Sequence, residues 1–317
     1  MMKKIISLSI LSFLSNFSYS LGTLDPKLDS IVEREYNSRI AQPEMSHREI
    51  KQGVYLIKCN TVCGNSLLVY GKDGGILINS MLAKTLPWLR KEIRDISGIN
   101  NIKILITTNA HFWNSNANGL FGGMMDFMIS HKNTRKRILS NSVIEDLQIL
   151  PGYSQERHVD NAGARVTFLD EMELNFNQEK VDLIHLKGAS TDGDILIFFK
   201  KKNIIHLGDL VLNNGFPFIN NDFGGSTTGL MIGLKKALDL GNEETIFIPG
   251  LGNEMSYKEL SNYISKLNQL LTHIKLLKSS SLSYEKILQD ETFKEISTNF
   301  QENFISNKES FLKQALR

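Results

Sequence analysis

The chain lacks a large charge of either sign. Its 36 lysines and arginines stand against 34 aspartates and glutamates. That balance gives no basis for nucleic acid or an anionic membrane as a partner. Cysteine is scarce: only Cys59 and Cys63 occur, in C-N-T-V-C. No second pair exists to complete a thiolate zinc site. In an oxidising compartment the two could close a disulfide across a tight hairpin; two buried thiols in a strand pair is the other reading. No internal repeat and no Walker or dinucleotide glycine spacing is present, which excludes the common phosphate cradles.

One apolar run stands apart, at the start. Met1–Lys4 is basic, Ile5–Phe17 is apolar, and Ser18-Tyr19-Ser20 offers small residues for cleavage. This reads as a secretory signal peptide over residues 1–20, too short to span a bilayer. An uncleaved anchor is the alternative. Cleavage takes Lys3 and Lys4 and no acid, so the remainder is near neutral. The expected location is periplasmic or secreted, with no stable membrane anchor after cleavage. Hydrophobic content of 41% and charged content of 22% fit an ordinary globular protein beyond that segment.

Residues 21–52 are polar and weakly periodic, and read as an N-terminal arm with a short helix. From Gly53 the pattern turns to short β-type runs at 54–57, 66–70 and 76–78, with a glycine-rich turn at 71–75. Residues 82–96 read as a helix, with Pro87 tolerable only in its first turn. A buried strand at 103–106 feeds a polar loop. Further strands are expected at 127–129, 166–168, 172–174, 181–186, 195–199, 204–207 and 245–248. Helices are expected from His131 to Leu139 and from a Ser226 cap to Leu240. Beyond Ser256 the chain is helical. Ser256–Glu259 is a capping box, and Leu260, Tyr263, Ile264, Leu267 and Leu270 continue one apolar face. Ser306–Glu309 reads as a second capping box. Arg135, Lys136 and Arg137 read as a solvated helix face. Strands interleaved with helices on this scale mean sheets covered by helices.

Four segments carry a resemblance. They are T-T-N-A-H-F-W-N-S-N-A-N at 107–118, G-A-S-T-D-G-D at 188–194, H-L-G-D-L at 206–210 and I-P-G-L-G at 248–252. In this order and spacing they resemble the metallo-β-lactamase superfamily, whose loops read T-H-x-H-x-D-H, A-H-T-D-G-D, G-D and P-G-H-G. H-K-N-T-R-K-R at 131–137, F-P-F-I-N-N-D-F-G-G-S at 216–226 and N-F-I-S-N-K-E-S-F at 303–311 are similar to a periplasmic, signal-bearing branch of it. The resemblance implies an αββα sandwich: two mixed sheets face to face with helices outside. The domain would span 53–255, with 256–317 a helical extension of it.

The family uses imidazoles and carboxylates to hold one or two zinc ions, which make hydroxide available at neutral pH. Carried across, the first metal site falls on Asn109, His111 and Ser190. The second falls on Trp113, Asn114 and Leu251, with Asp209 as the bridging acid. Two of the seven positions, His111 and Asp209, keep a ligand. Two ligands do not retain zinc, so no cofactor is expected here, zinc being lost. His131, His185 and His206 read as scaffold rather than replacement ligands. The residual cluster is His111, Ser190 and Asp209. It is either a set of side chains satisfying one another in a disused pocket or a metal-free nucleophilic site, with imidazolium His111 beside Asp209.

Two functional classes follow. One is a catalytically degenerate pseudo-hydrolase, acting as a binding or scaffold protein. A small molecule or protein partner would then sit at the old cleft, lined by Trp113, His111 and Leu251. The other is a hydrolase with altered chemistry, metal-free or with a single weakly held metal.

Overall fold

The computed structural model describes residues 44–59, 63–98, 101–121, 125–148 and 150–317. The signal segment and most of the expected arm lie outside the described residues.

The first sheet is built from β1 (Met45–Lys51), β2 (Val54–Cys59), β3 (Ser66–Gly71) and β4 (Gly74–Ile78), a run of antiparallel neighbours. Helix α1 (Leu86–Ser97) then crosses over to β5 (Ile102–Thr107), parallel to β4. Short helices α2 (Phe112–Ser115) and α3 (Asn118–Phe121) follow, then β6 (Phe127–His131), α4 (Lys132–Ile138), the small pair β7 (Ser142–Ile144) and β8 (Tyr153–Gln155), and β9 (Val166–Phe168). The seven-stranded order is β1-β2-β3-β4-β5-β6-β9.

The second sheet has the order β10-β11-β12-β13-β14. Its strands are β10 (Glu171–Phe176), β11 (Glu179–His185), β12 (Ile195–Phe199), β13 (Ile204–Leu212) and β14 (Ile246–Leu251), with α5 (Thr227–Leu240) between the last two. Only β13 and β14 pair in parallel. Helices α6 (Tyr257–Ser279), α7 (Tyr284–Gln289), α8 (Glu291–Ser297) and α9 (Lys308–Leu316) complete the chain.

The period-two alternation of the strands explains the layering. Leu67, Val69, Ile76, Ile78, Ile104 and Ile106 share one apolar core with Val181, Ile195, Ile197 and Ile204 of the second sheet. The intervening Leu68, Leu77 and Leu105 face the other way, onto Leu86, Leu89 and Ile93 of α1. On the far side, Ile205, Leu207 and Leu210 of β13 pack with Leu230 and Leu234 of α5, Leu260 and Leu267 of α6, and Phe311 of α9. The result is helix–sheet–sheet–helix, the αββα sandwich expected. Residues 256–317 are part of its outer layer.

Several expectations shift. Residues 45–51 of the supposed arm are an edge strand paired with β2, so the sheet starts at Met45 rather than Gly53. Pro87 does stand in the first turn of α1. The Ser256–Glu259 capping box forms as read. The later box is displaced by one residue: Asn307 caps α9 with Ser310, because the Ser306 hydroxyl donates to the Pro217 carbonyl. Arg135 and Arg137 are not a solvated face. Arg135 donates to the Ala164 carbonyl and Arg137 pairs with Asp192 at 3.0 Å, leaving Lys136 exposed. Cys59 and Cys63 form a disulfide, with Cα atoms 6.3 Å apart. Among the described residues no helix is long and apolar enough to cross a membrane.

Candidate functional site

The seven positions come from four places at one end of the sandwich. Asn109 lies in the loop after β5, and His111 is the N-cap residue of α2, which carries Trp113 and Asn114. Ser190 lies between β11 and β12. Asp209 is on β13, and Leu251 ends β14. Six of the seven side chains are fully buried; Leu251 alone keeps partial exposure.

Asp209 is the hub. It accepts from His111 Nδ1 at 2.7 Å, Asn109 Nδ2 at 2.8 Å, Trp113 Nε1 at 3.0 Å and Asn114 Nδ2 at 3.0 Å. All four nitrogens belong to residues standing where the family pattern has a ligand His or Asp, and three of them are not the pattern's residue. The asparagines are saturated in turn. The second hydrogen of Asn109 reaches Asp194 Oδ1 at 2.8 Å, and its Oδ1 accepts from Asn114 Nδ2 at 2.9 Å. Asn79 Nδ2 donates to Asn114 Oδ1 at 3.1 Å, and Asn79 Oδ1 accepts from the Thr108 amide. A buried polar network with every member paired rigidifies its surroundings, whereas a half-paired one is costly.

Both ring nitrogens of His111 are occupied. Asn220 Oδ1 accepts from the Phe223 amide, so the Asn220 amide nitrogen is what faces His111 Nε2, at 3.2 Å, while Nδ1 faces Asp209. Burial pushes the Asp209 acid upward, but the hydrogen bond and charge of His111 and the bonds from Asn114 and Asn109 outweigh it and hold the carboxyl below its ordinary range. Asp194 goes the other way. Burial pushes it up to about 7, against the Asn109 bond and with the Asp209 charge adding to the rise.

Ser190 is near but turned away. Its hydroxyl donates to the Phe218 carbonyl at 2.6 Å, and His111 spends its two ring nitrogens on Asp209 and Asn220. The Ser–His contact that nucleophilic catalysis needs is not made. Aromatic rings fill the remaining space. Trp113 stacks on His111 with centroids 4.3 Å apart; Phe218 meets His111 edge-on at 5.4 Å, and Phe223 lies at 6.0 Å. Leu251 packs against the same cluster. His111 and Trp113 are fully buried among these rings, and Leu251 keeps partial exposure.

The residues present do not fit zinc. Both Asp209 oxygens already accept N–H bonds, both His111 nitrogens are engaged by Asp209 and Asn220, and the indole of Trp113 takes up the space beside them. Among the described residues, no three His, Cys, Asp or Glu side chains gather in a way that could hold a metal. Gly250 shows how tightly β14 closes over the acid: a Cβ there would sit 2.6 Å from Asp209 Oδ1 and 2.8 Å from the Gly208 carbonyl oxygen.

His131 and His185 form a stacked pair, centroids 3.6 Å apart, and donate to backbone carbonyls of Leu169 and Asp192. His206 is buried in β13 and accepts from the Gly208 amide. All three are scaffold residues. Sequence reasoning missed Asn220 and Asn79 as parts of the site, and Asp194 as the second acid. Asn220 and Asp194 lay inside quoted motifs; nothing local marked Asn79.

No protein-family model and no curated protein sequence matches the chain. Solved structures do. A metallo-β-lactamase from Pontibacter korlensis superimposes with a TM-score of 0.57 at 13% identity, over 71% of this chain and 99% of that one. One from Hirschia baltica gives 0.54 at 14% identity, over 70% and 96%. The sec-alkylsulfatase Pisa1 from Pseudomonas sp. gives 0.61 at 10% identity, covering 86% of this chain and 50% of that one. Two sheets in these orders, flanked by helices and superimposing at these scores, mean that this chain has the metallo-β-lactamase fold.

Proposed function

We propose that the chain is an exported, non-catalytic relative of the zinc hydrolases that acts as a binding or scaffold protein. The observation that carries this reading is the coordination of Asp209 by four N–H nitrogens. A metal ion at that carboxylate would have to displace hydrogen bonds from Asn109, Trp113, Asn114 and His111 at once. Fold and chemistry are separable, so keeping the sandwich does not imply keeping the reaction.

The test is metal content and turnover of the mature protein. The expected result is no tightly held zinc and no hydrolysis of lactam, thioester or lactone substrates. About one equivalent of zinc per chain, surviving dialysis against a chelator, would overturn the reading, since structural and catalytic sites both hold it that firmly. Export is tested separately, by N-terminal sequencing of the protein from the periplasm or medium, with cleavage expected after Ser20.

The altered hydrolase rests on the His111–Asp209 pair, at 2.7 Å. Turnover that survives chelation and is lost in His111→Ala would favour it. Labelling of Ser190 by a phosphonate would do so as well.

A further inference from the structure

The former metal locus is closed, but the outer helical layer is not. Between α5 and α6, with Ala315 of α9 at its edge, runs an open groove of about 880 Å³. Its lining follows one stripe of each helix. On α5, Thr228, Met231, Ile232 and Lys235 recur at helical spacing. Ile232 is 64% exposed, so none of the described residues covers it. On α6 the lining runs from Ser261 to Lys278, alongside the face that α6 buries in the core. At the helical rise that stretch is about 26 Å long.

Three features of the lining select an occupant. Its floor is apolar, with Met231, Ile264 and Leu271, so a partner must bring an apolar face. Ser261, Ser265 and Thr272 are small, so a partner backbone can approach closely. The charged residues in the lining are lysines: Lys235 is paired with Asp239 of its own helix at 3.0 Å, whereas Lys275 and Lys278 have no carboxylate partner among the described residues. Lys275 and Lys278 lie in the last two turns of α6. A second copy of the same face would set these lysines against their own kind, which disfavours a symmetric pair. A groove between two helices also suits a third helix better than an extended strand.

We propose that the α5–α6 groove is a docking surface for an acidic amphipathic helix of a protein partner. Such a helix seats its apolar face on Met231, Ile264 and Leu271 and places carboxylates against Lys275 and Lys278. The binding role has then left the old catalytic mouth for the outer layer. This deepens the reading of the chain as a binding protein and rests on it. Its failure would remove this surface only, because the metal and turnover assays are independent of it.

The probe is a labelled synthetic peptide of about 18 residues, matching the groove length, with leucine and alanine on one face and glutamate on its flanks. A twin carries lysine for glutamate. Fluorescence anisotropy with the full mature chain should show binding of the acidic peptide and not of the basic twin. The Lys275→Glu/Lys278→Glu variant should weaken it at least roughly tenfold, as loss of complementary charge at a docking face does. Ser265→Trp, which blocks the groove without altering charge, should weaken it similarly. Thermal melts that match the parent establish that both variants are folded. Equal binding of the two peptides, or binding indifferent to both variants, overturns the proposal. So does sedimentation showing a dimer that the lysine reversal alters, or binding to phosphatidylglycerol vesicles with none to the peptide.

Discussion

The Asp209 locus and the α5–α6 groove are opposites. The first concentrates polar atoms at full burial, each with a partner. The second spreads apolar surface and three lysines at full or partial exposure, with no cover among the described residues. The contrast teaches where to look for a binding surface in this fold. A polar cluster is available to a ligand only if something in it is unsatisfied or reachable, and at Asp209 neither holds. In the groove the available quantity is apolar area and the positive charge of Lys275 and Lys278.

Mutations can break this contrast. The largest effect is expected at the hub. Asp209→Ala removes the acceptor of one N–H bond from each of four buried nitrogens, two of which, those of His111 and Trp113, have no other acceptor, and should cost on the order of 4 kcal/mol, since each stranded donor is worth ~1–3. Denaturant melts measure it; a loss below about 1 kcal/mol would mean the locus is as open as the groove. Next is Gly250→Ala. Its Cβ would meet Asp209 Oδ1 and the Gly208 carbonyl oxygen, neither of which can retreat, and overpacking of this kind costs about 1–3 kcal/mol.

The third effect is in the pH dependence. Asp194 is raised from 3.8 to about 7, so the folded state holds its proton more tightly than the unfolded chain does. That contribution is complete below pH 3.8 and is lost as pH rises towards 7. His131 and His206 are lowered from 6.5 to about 4, by burial, with His185 adding to the effect at His131. They act oppositely, and stability from them is present above 6.5 and lost as pH falls to about 4. Burial lowers His185 as well, so three rising slopes against one falling slope give a net rise in stability from pH 4 to 6.5. Asp194→Asn should steepen that rise by up to about 1.4 kcal/mol per pH unit, one proton's worth. Chemical melts across that range check it, and an unchanged or shallower slope would contradict the assignment. The smallest effect sharpens the comparison from the other side. Lys275→Glu and Ser265→Trp should leave stability within about 0.5 kcal/mol, as surface changes do, while altering peptide binding.

Much of this was legible in the sequence, for identifiable reasons. β3, β4 and β5 are apolar runs between turn residues, and their burial follows. The seven positions converge because motif spacing fixes which strand ends meet. β1 was hidden because M-S-H-R-E-I-K has no alternation; it is a charged edge strand whose pairing is set by β2, not by its own pattern. The cap at Asn307 was misplaced because Ser306 and Asn307 are equally able caps, and only the position of Pro217 decides between them. The second partner of the His111 ring was not foreseeable, because Asn220 arrives from 109 residues away.

The loop that brings Asn220 is fastened from further along the chain. Gln314 accepts from the Ile219 amide across 95 residues and donates to the Asp146 carbonyl, while Ser306 holds Pro217. A ribosome delivers β5, α2 and β13 well before it delivers α9. During synthesis the half-made protein therefore carries Asp209 and His111 with one side of their enclosure missing. The enclosure is completed only after residue 314 emerges, so a nascent chain stalled at residue 300 should leave the His111 ring open to solvent exchange.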